Sequence, residues 1–147
     1  MPVTVSQFDH NAQRFASGAN SSSDVYRVAL YTSATFLASA TTLAGITKTE
    51  VATGNGYTSG TGGGVQLTTV TITQVTTNDA KFSASNISWT VPAGGSLSAA
   101  YAILYNDTDS GDPPLLFMDF GGTQTVTDGG IFQIIWDANG IFTFTVT

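Results

Sequence analysis

Two nearly continuous apolar runs occupy the middle of the chain, one on each side of a polar segment. The first covers residues 97–106 and the second covers residues 115–120, whereas residues 107–114 read Asp-Thr-Asp-Ser-Gly-Asp-Pro-Pro. Apolar runs of this length without alternation are typical of strands that are covered on both faces. Asp, Gly and Pro between two such runs are typical of a turn. The pattern therefore predicts a β-hairpin with a long turn at the centre of a β-sandwich.

Shorter apolar segments, separated by turn residues, fill the rest of the chain. The turn signals recur about every eight to twelve residues, a spacing typical of sandwiches, and Asn139-Gly140 is the strongest signal for a tight hairpin. The spacing predicts an all-β fold, a jelly-roll-like antiparallel β-sandwich of about eight or nine strands. Outside the central hairpin the predicted strands cover residues 25–31, 48–53, 65–75, 80–84, 87–91, 123–127, 131–136 and 141–146, and a helical turn or ordered loop is expected within residues 33–46.

The N-terminal segment has a helical spacing instead. Val5, Phe8 and Phe15 would share one side of an α-helix, and Gly18 stands where a helix commonly ends. A short amphipathic α-helix is therefore predicted over residues 6–17.

Two uses of this helix are open. It either docks on its own sandwich or acts as an arm that lays Phe8 and Phe15 on a neighbouring subunit. Residues 1–24 are accordingly expected to form an N-terminal helix or arm, and residues 25–147 a single β-sandwich domain. No repeat or linker divides the second range, and 147 residues suit one domain.

Composition excludes several classes of function. Only 10% of residues are charged, and four Lys and Arg against ten Asp and Glu give a net charge of −6. The chain lacks the basic footprint of a nucleic-acid-binding protein, so no direct contact with nucleic acid is expected. Because there is no cysteine and no apolar run long enough to cross a bilayer, we expect neither thiolate metal sites nor a membrane partner. A secretory signal peptide is not visible either.

Residue types that commonly act in catalysis are scattered along the chain. His10 is the only histidine, and without a positioned partner it reads as a surface residue of the predicted helix. Glu50 and Asp119 could act as a glycosidase pair only if the fold brought their carboxylates together. We therefore expect no enzymatic activity and no cofactor.

Three aspartates, Asp107, Asp109 and Asp112, crowd the turn of the central hairpin. Alternating oxygen ligands suit calcium, but the glycine of this loop comes one place early and no glutamate closes it. An ordinary acidic turn is the simpler interpretation, and no metal site is expected. Trp89 and Trp136 leave a choice between a sugar-stacking platform and core packing, and their short strands favour the core.

A glycine-rich segment occupies residues 54–64. It lacks the Lys-Ser/Thr pair of a phosphate-binding loop and does not open a helix, so a flexible loop with several left-handed residues is expected. An adaptable loop and an apolar helix face both suit protein contacts. The residues expected to contact a partner protein or a neighbouring subunit are Phe8, Phe15, Tyr57, Gly62 and Gly63.

Short motifs follow one another in order over residues 8–146. They are Val28-Ala-Leu-Tyr-Thr-Ser33, Glu50-Val51, Gly54-Asn-Gly-Tyr-Thr58, Gly63-Gly-Val-Gln-Leu67, Ala80-Lys-Phe82, Ile87-Ser-Trp89, Ala102-Ile-Leu-Tyr-Asn106, Met118-Asp-Phe-Gly121 and Gly130-Ile-Phe-Gln-Ile134. In this order and spacing the chain resembles the capsid decoration, or cement, proteins of tailed bacteriophages. One departure is that the strand before Tyr105-Asn106 often starts with an arginine in that family, where this chain has Ala99-Ala100-Tyr101.

The resemblance implies a fold, a role and partners. Such proteins typically have a jelly-roll core and sit as trimers on the outside of an expanded capsid, where they staple neighbouring major capsid subunits. The resemblance therefore implies that this chain is a structural virion protein on the capsid exterior, assembled in the host cytoplasm. Its partners would be the major capsid protein and further copies of itself in a homotrimer. The alternative is a receptor- or glycan-binding module of a tail fibre or tail tip, because jelly rolls serve both uses.

Overall fold

Antiparallel strands make up most of the chain in the computed structural model, which describes residues 3–76 and 79–145. One short α-helix, α1, covers Asn11–Ala16, and a 3₁₀ turn covers Leu43–Gly45. The predicted all-β antiparallel class is confirmed, with more strands than the eight or nine expected. The described strands are β1 Thr4–Gln7, β2 Tyr26–Ala34, β3 Lys48–Glu50, β4 Val65–Gln66, β5 Thr71–Thr76, β6 Asp79–Ser83, β7 Ile87–Thr90, β8 Ser96–Asn106, β9 Pro114–Thr127, β10 Ile131–Ile134 and β11 Phe142–Phe144.

The largest sheet has the strand order β1-β9-β8-β2-β3, and β4 also pairs with β2. Its centre is the hairpin predicted from the two apolar runs, with Ile103 opposite Phe117 and Leu104 opposite Leu116. Successive side chains of a strand point to opposite faces. Leu104 lies in the larger core cluster and Ile103 in a second cluster. The prediction that these strands are covered on both faces is confirmed.

Two smaller sheets, β10-β7 and β11-β6-β5, cover one face of the main sheet. Aromatic rings from the two layers meet between them: the Tyr26 and Phe82 centroids are 5.0 Å apart, and the Phe120 and Phe132 centroids are 5.8 Å apart. The protein is therefore a two-layer β-sandwich, as predicted. A jelly-roll connectivity of the strands remains a prediction.

The segment that follows β2 covers the other face of the main sheet. Ala40 and Ile46 of this segment are buried there against Ile103 and Phe117, together with Phe8 of the N-terminal segment. This segment contains the 3₁₀ turn, which confirms the helical turn or ordered loop expected within residues 33–46.

The N-terminal segment differs from its prediction. Residues 4–7 form β1 on the edge of the main sheet, and only Asn11–Ala16 is helical, so a helix over residues 6–17 is wrong. The spacing misled because residues three apart also point to opposite faces of an extended segment. Phe8 is buried against one face of the main sheet, whereas Val5 lies on the other face and is exposed. The helix itself docks on its own sandwich, where Phe15 packs 4.8 Å from Phe144 between ring centroids.

Three predicted strand patterns also change. Residues 123–127, predicted as a separate strand, are the end of the continuous strand β9. Residues 65–75 form two strands instead of one, because the chain turns between β4 and β5 at Thr69, which has a φ of 55°. Asn139-Gly140 does form a turn, but the strands on either side of it pair elsewhere: β10 with β7, and β11 with β6. Of the predicted strand 141–146, residue 146 lies outside the described residues.

Candidate functional site

An open apolar groove lies at one side edge of the sandwich. It has a volume of about 560 Å³ and runs between β1 and β9 of the main sheet and the segment 131–141 of the second layer. The apolar side chains that line it include Val3, Val5, Met118, Ile131, Ile135 and Trp136.

The groove contains most of the exposed large apolar side chains of the described chain. Seven large apolar side chains are exposed among the described residues, and four of them line this groove. These four are Val3, Val5, Ile131 and Ile135, with exposed fractions of 49, 52, 59 and 69%. Contiguous apolar patches on a folded surface commonly mark binding sites, whereas single exposed residues do not. The groove is therefore the strongest candidate for a functional surface.

Strand pairing explains why the groove stays open. β1 is the last strand of the main sheet, and β10 pairs only with β7 in its two-stranded sheet. Val5 lies opposite Met118, so its side chain projects on the face of the main sheet that looks toward the second layer. The turn at Asn139-Gly140 sends the chain from β10 to the far sheet instead of back along the edge. No further described strand closes this side of the sandwich.

The groove is lined by one acidic residue, Asp137. Asp119 does not border the groove, because it follows Met118 on β9 and its side chain therefore points to the opposite face of the main sheet. Of the described residues that line the groove, none is Lys or Arg. Asp137 accepts a hydrogen bond at 2.8 Å from the Asn139 backbone N–H, two residues along the chain. An apolar groove with an acidic residue in its lining suits a partner that carries both apolar and basic side chains.

Two of the three aspartates of the hairpin turn are in ion pairs. Asp107 accepts from Arg27 at 2.8 Å, and Asp109 pairs with Arg14 of α1. Partial burial, reinforced by nearby Asp107, raises the pKa of Asp112. Among the described residues, no cluster of three or more His, Asp or Glu side chains is arranged to hold a metal ion. The turn therefore ties α1 and β2 to the central hairpin.

Glu50 organises the glycine-rich loop. Its carboxylate accepts hydrogen bonds from the Tyr57 hydroxyl at 2.7 Å and from the Gly60 N–H at 3.0 Å. Burial raises the pKa of the Tyr57 hydroxyl. Several residues of the loop have positive φ, as predicted. The loop packs on the sandwich, since a Cβ on Gly64 would lie 2.1 Å from the Val28 carbonyl oxygen.

Glu50 and Asp119 do not form a pair of carboxylates. They stand at the two ends of one cross-strand row, in which Tyr31 and Tyr101 occupy the positions between them. Three strand spacings of about 4.8 Å separate their backbones by roughly 14 Å. Glycosidase carboxylates are at most about 9.5 Å apart, so this arrangement does not support that chemistry.

His10 anchors the start of α1 to the central hairpin. Its Nε2 lies 2.9 Å from the Pro114 carbonyl oxygen, and burial lowers the pKa of the imidazole.

The two tryptophans differ in burial. Trp89 is buried in the core, as predicted, whereas half-buried Trp136 donates from Nε1 to the Ser85 carbonyl at 3.1 Å and lines the groove.

The residues predicted as partner contacts fall mostly inside the sandwich. Phe8 and Tyr57 are each only 2% exposed, so their side chains are not available to a partner in this fold. Phe15 is partly buried against the core, Gly63 is buried and Gly62 is half-buried. Phe8 and Tyr57 are buried because an isolated aromatic residue beside a strand is as suitable for the core as for a contact. The role of the five residues as partner contacts stays a prediction. An alternating signal was present at Val3-Thr4-Val5-Ser6, but the helical interpretation hid it.

No described helix is both long enough and apolar enough to cross a membrane. Comparisons with protein-family models, with curated proteins and with solved structures give no significant match. The resemblance to capsid decoration proteins therefore stays a prediction from the sequence motifs.

Proposed function

We propose that this chain is a structural virion protein that decorates the outside of a tailed-phage capsid and cements it by bridging major capsid protein subunits. The observation that carries the proposal is the open groove, with exposed Val3, Val5, Ile131 and Ile135 on a rigid two-layer sandwich. The sequence motifs supply the class of particle. A homotrimer with jelly-roll connectivity is part of the same proposal.

The physical character of the chain suits this role. The central strands are buried on both faces, so the groove is held by a rigid sheet instead of by mobile loops. Protein copies on a capsid lattice act together, and avidity allows each contact to be weak. A net charge of −6 is better tolerated outside a shell than against packaged DNA.

Particle stability tests this function. Virions assembled without the protein should lose infectivity faster on heating or in low salt than complete virions, and adding back the purified chain should restore resistance. If both kinds of particle lose infectivity at the same rate, and the added chain does not bind to the capsid, the cementing role is wrong.

One observation favours the alternative of a glycan- or receptor-binding tail module. Trp136 is half-buried at the groove, next to Asp137, and a tryptophan face beside a carboxylate is a suitable sugar platform. Immunogold labelling of complete virions separates the two functions. Label spread over the head supports cementing, whereas label confined to the tail supports adhesion.

A further inference from the structure

We propose that the groove receives an extended segment of the partner protein, which adds to β1 as a new edge strand and carries apolar side chains flanked by Lys or Arg. This inference rests on the proposed function in one respect, namely that the chain binds a partner protein. It adds the mode of binding and the chemistry of the bound segment.

The outer side of the β1 backbone has no pairing partner among residues 3–76 and 79–145. Phe8 N donates to Leu115 O at 3.4 Å, which continues the register of β1 with β9. Hydrogen-bonded and non-bonded pairs alternate along an antiparallel ladder. Ser6 and Thr4 therefore share the orientation of Phe8, toward β9, whereas the N–H and C=O groups of Val5 and Gln7 point away from the sheet. These outward groups are the template for an added strand.

The edge of β1 also lacks the usual protections. Natural edge strands are guarded by charged residues, prolines or bulges, and Thr4–Gln7 contains no charge and no proline. Its register with β9 runs without a shift. By contrast, the edge strand β3 carries Lys48 and Glu50, and the edge strand β5 has a register shift between Gln74 and Thr76. An unguarded edge beside an apolar groove is what strand addition requires.

The side chains of the groove specify what the added strand carries. Val3 and Val5 project toward the groove together with Met118, and Ile131 and Ile135 form the opposite wall. A strand laid beside β1 would turn every second side chain into this space. The segment therefore needs about two or three apolar side chains at alternate positions, within a length of roughly four to six residues.

Charge selects a basic segment over a second copy of this chain. Asp137 lines the site and no described lining residue is basic, so a second copy, with its net charge of −6, would bring further negative charge to it. Three of the four basic residues of a second copy are already engaged, Arg14 and Arg27 in ion pairs and Lys48 in hydrogen bonds to backbone carbonyls. A segment with Lys or Arg beside its apolar positions would instead meet complementary charge.

Amide exchange measured on the full chain tests the backbone pairing directly. The probe is a capped synthetic peptide of alternating valine and threonine with a lysine at each end. We expect this peptide to slow amide exchange of Val5 and Gln7 by about tenfold or more at saturation, with little change at Ser6, which is already paired. A peptide with glutamate in place of lysine should bind more weakly. Binding without slowing at Val5 and Gln7 would overturn strand addition.

A matched pair of variants tests the site on the particle. Val5 and Val75 are exposed to 52 and 53% and lie on edge strands of different sheets. Val5→Lys removes apolar contact and repels a basic segment, so it should weaken binding to decoration-free capsids by roughly tenfold or more. Val75→Lys should bind like the unmodified chain. Equal denaturation midpoints would show that both variants fold.

The outcomes separate this inference from the proposed function. If the unmodified chain and Val5→Lys bind capsids equally, the strand-addition site is wrong while the cementing function stands. If the unmodified chain does not bind capsids, the proposed function fails, and the peptide experiment still decides whether β1 accepts a strand. Loss of peptide binding and of capsid binding in Val5→Lys alone is the result that the inference requires.

Discussion

The Tyr57 hydroxyl donates a hydrogen bond of 2.7 Å to the Glu50 carboxylate and accepts one of 3.0 Å from the Leu30 backbone N–H. The hydroxyl therefore completes the pairing of β2 one residue before Tyr31, which forms a pair with Glu50 of β3. The same carboxylate also accepts from Gly60, so a single side-chain pair ties the glycine-rich loop to the edge of the main sheet.

Tyr57→Phe should lower the free energy of unfolding by about 1–3 kcal/mol, because it leaves the buried Leu30 N–H without its acceptor. Urea denaturation of the two proteins measures the difference. Tyr101→Phe is a matched control, since the Tyr101 hydroxyl makes no hydrogen bond to the described residues, and it should change stability little. Equal effects of the two substitutions would show that the Tyr57 bond contributes nothing specific.

Gly64 should tolerate alanine far less well than Gly62. Both have positive φ, 74° and 68°, so either alanine carries a backbone penalty of about 1–2 kcal/mol. Only Gly64 also meets backbone, because its added Cβ would lie 2.1 Å from the Val28 carbonyl oxygen, whereas Gly62 has nothing within 4 Å. We expect Gly64→Ala to cost at least about 2 kcal/mol more than Gly62→Ala in the same denaturation experiment. A difference near zero would mean that the loop can move away from β2.

His10 should make the protein less stable in mild acid. Burial lowers the pKa of the native imidazole below 6.5, so the unfolded chain binds its proton first as the pH falls. Stability is then fully present above pH 6.5 and is lost as the pH falls from about 6.5 through the lowered native pKa.

Titration by NMR is direct for this residue because His10 is the only histidine. The native imidazole should titrate below pH 6.5, and His10→Gln should remove the corresponding slope from a plot of stability against pH. A native titration at or above 6.5, or an unchanged slope in the variant, would contradict the assignment.

The centre of the fold is predictable from the sequence, whereas its edges are not. The runs 97–106 and 115–120 are apolar at almost every position. A strand can bury all of these side chains only if both of its faces are covered, as they are here. The spacing of Val5 and Phe8 does not decide the secondary structure, because it fits a helix and also fits a strand at the edge of the sandwich. The distinction depends on pairing with Met118 and Leu115, more than a hundred residues away.

The groove could not be predicted from the sequence, because it too depends on long-range strand pairing. Asn139-Gly140 predicts a turn correctly, but turn chemistry does not determine which strands pair on either side of it. Only the pairing of β10 with β7 and of β11 with β6 leaves Ile131 and Ile135 on an open edge. Tyr57 illustrates the reverse case: its position in a glycine-rich loop suggested exposure, and its hydroxyl proved to be part of the β2 edge.

Ile135 should contribute to binding and not to folding. It is 69% exposed, so Ile135→Asn should change the free energy of unfolding by no more than about 0.5 kcal/mol. Burial of an isoleucine side chain by a partner is worth about 1.5–3 kcal/mol, so the substitution should weaken capsid binding by about tenfold or more. Leu37→Asn is the control, because Leu37 is 48% exposed and does not line the groove. Co-sedimentation with decoration-free capsids measures both variants, and equal binding by the two would exclude this wall of the groove from the contact.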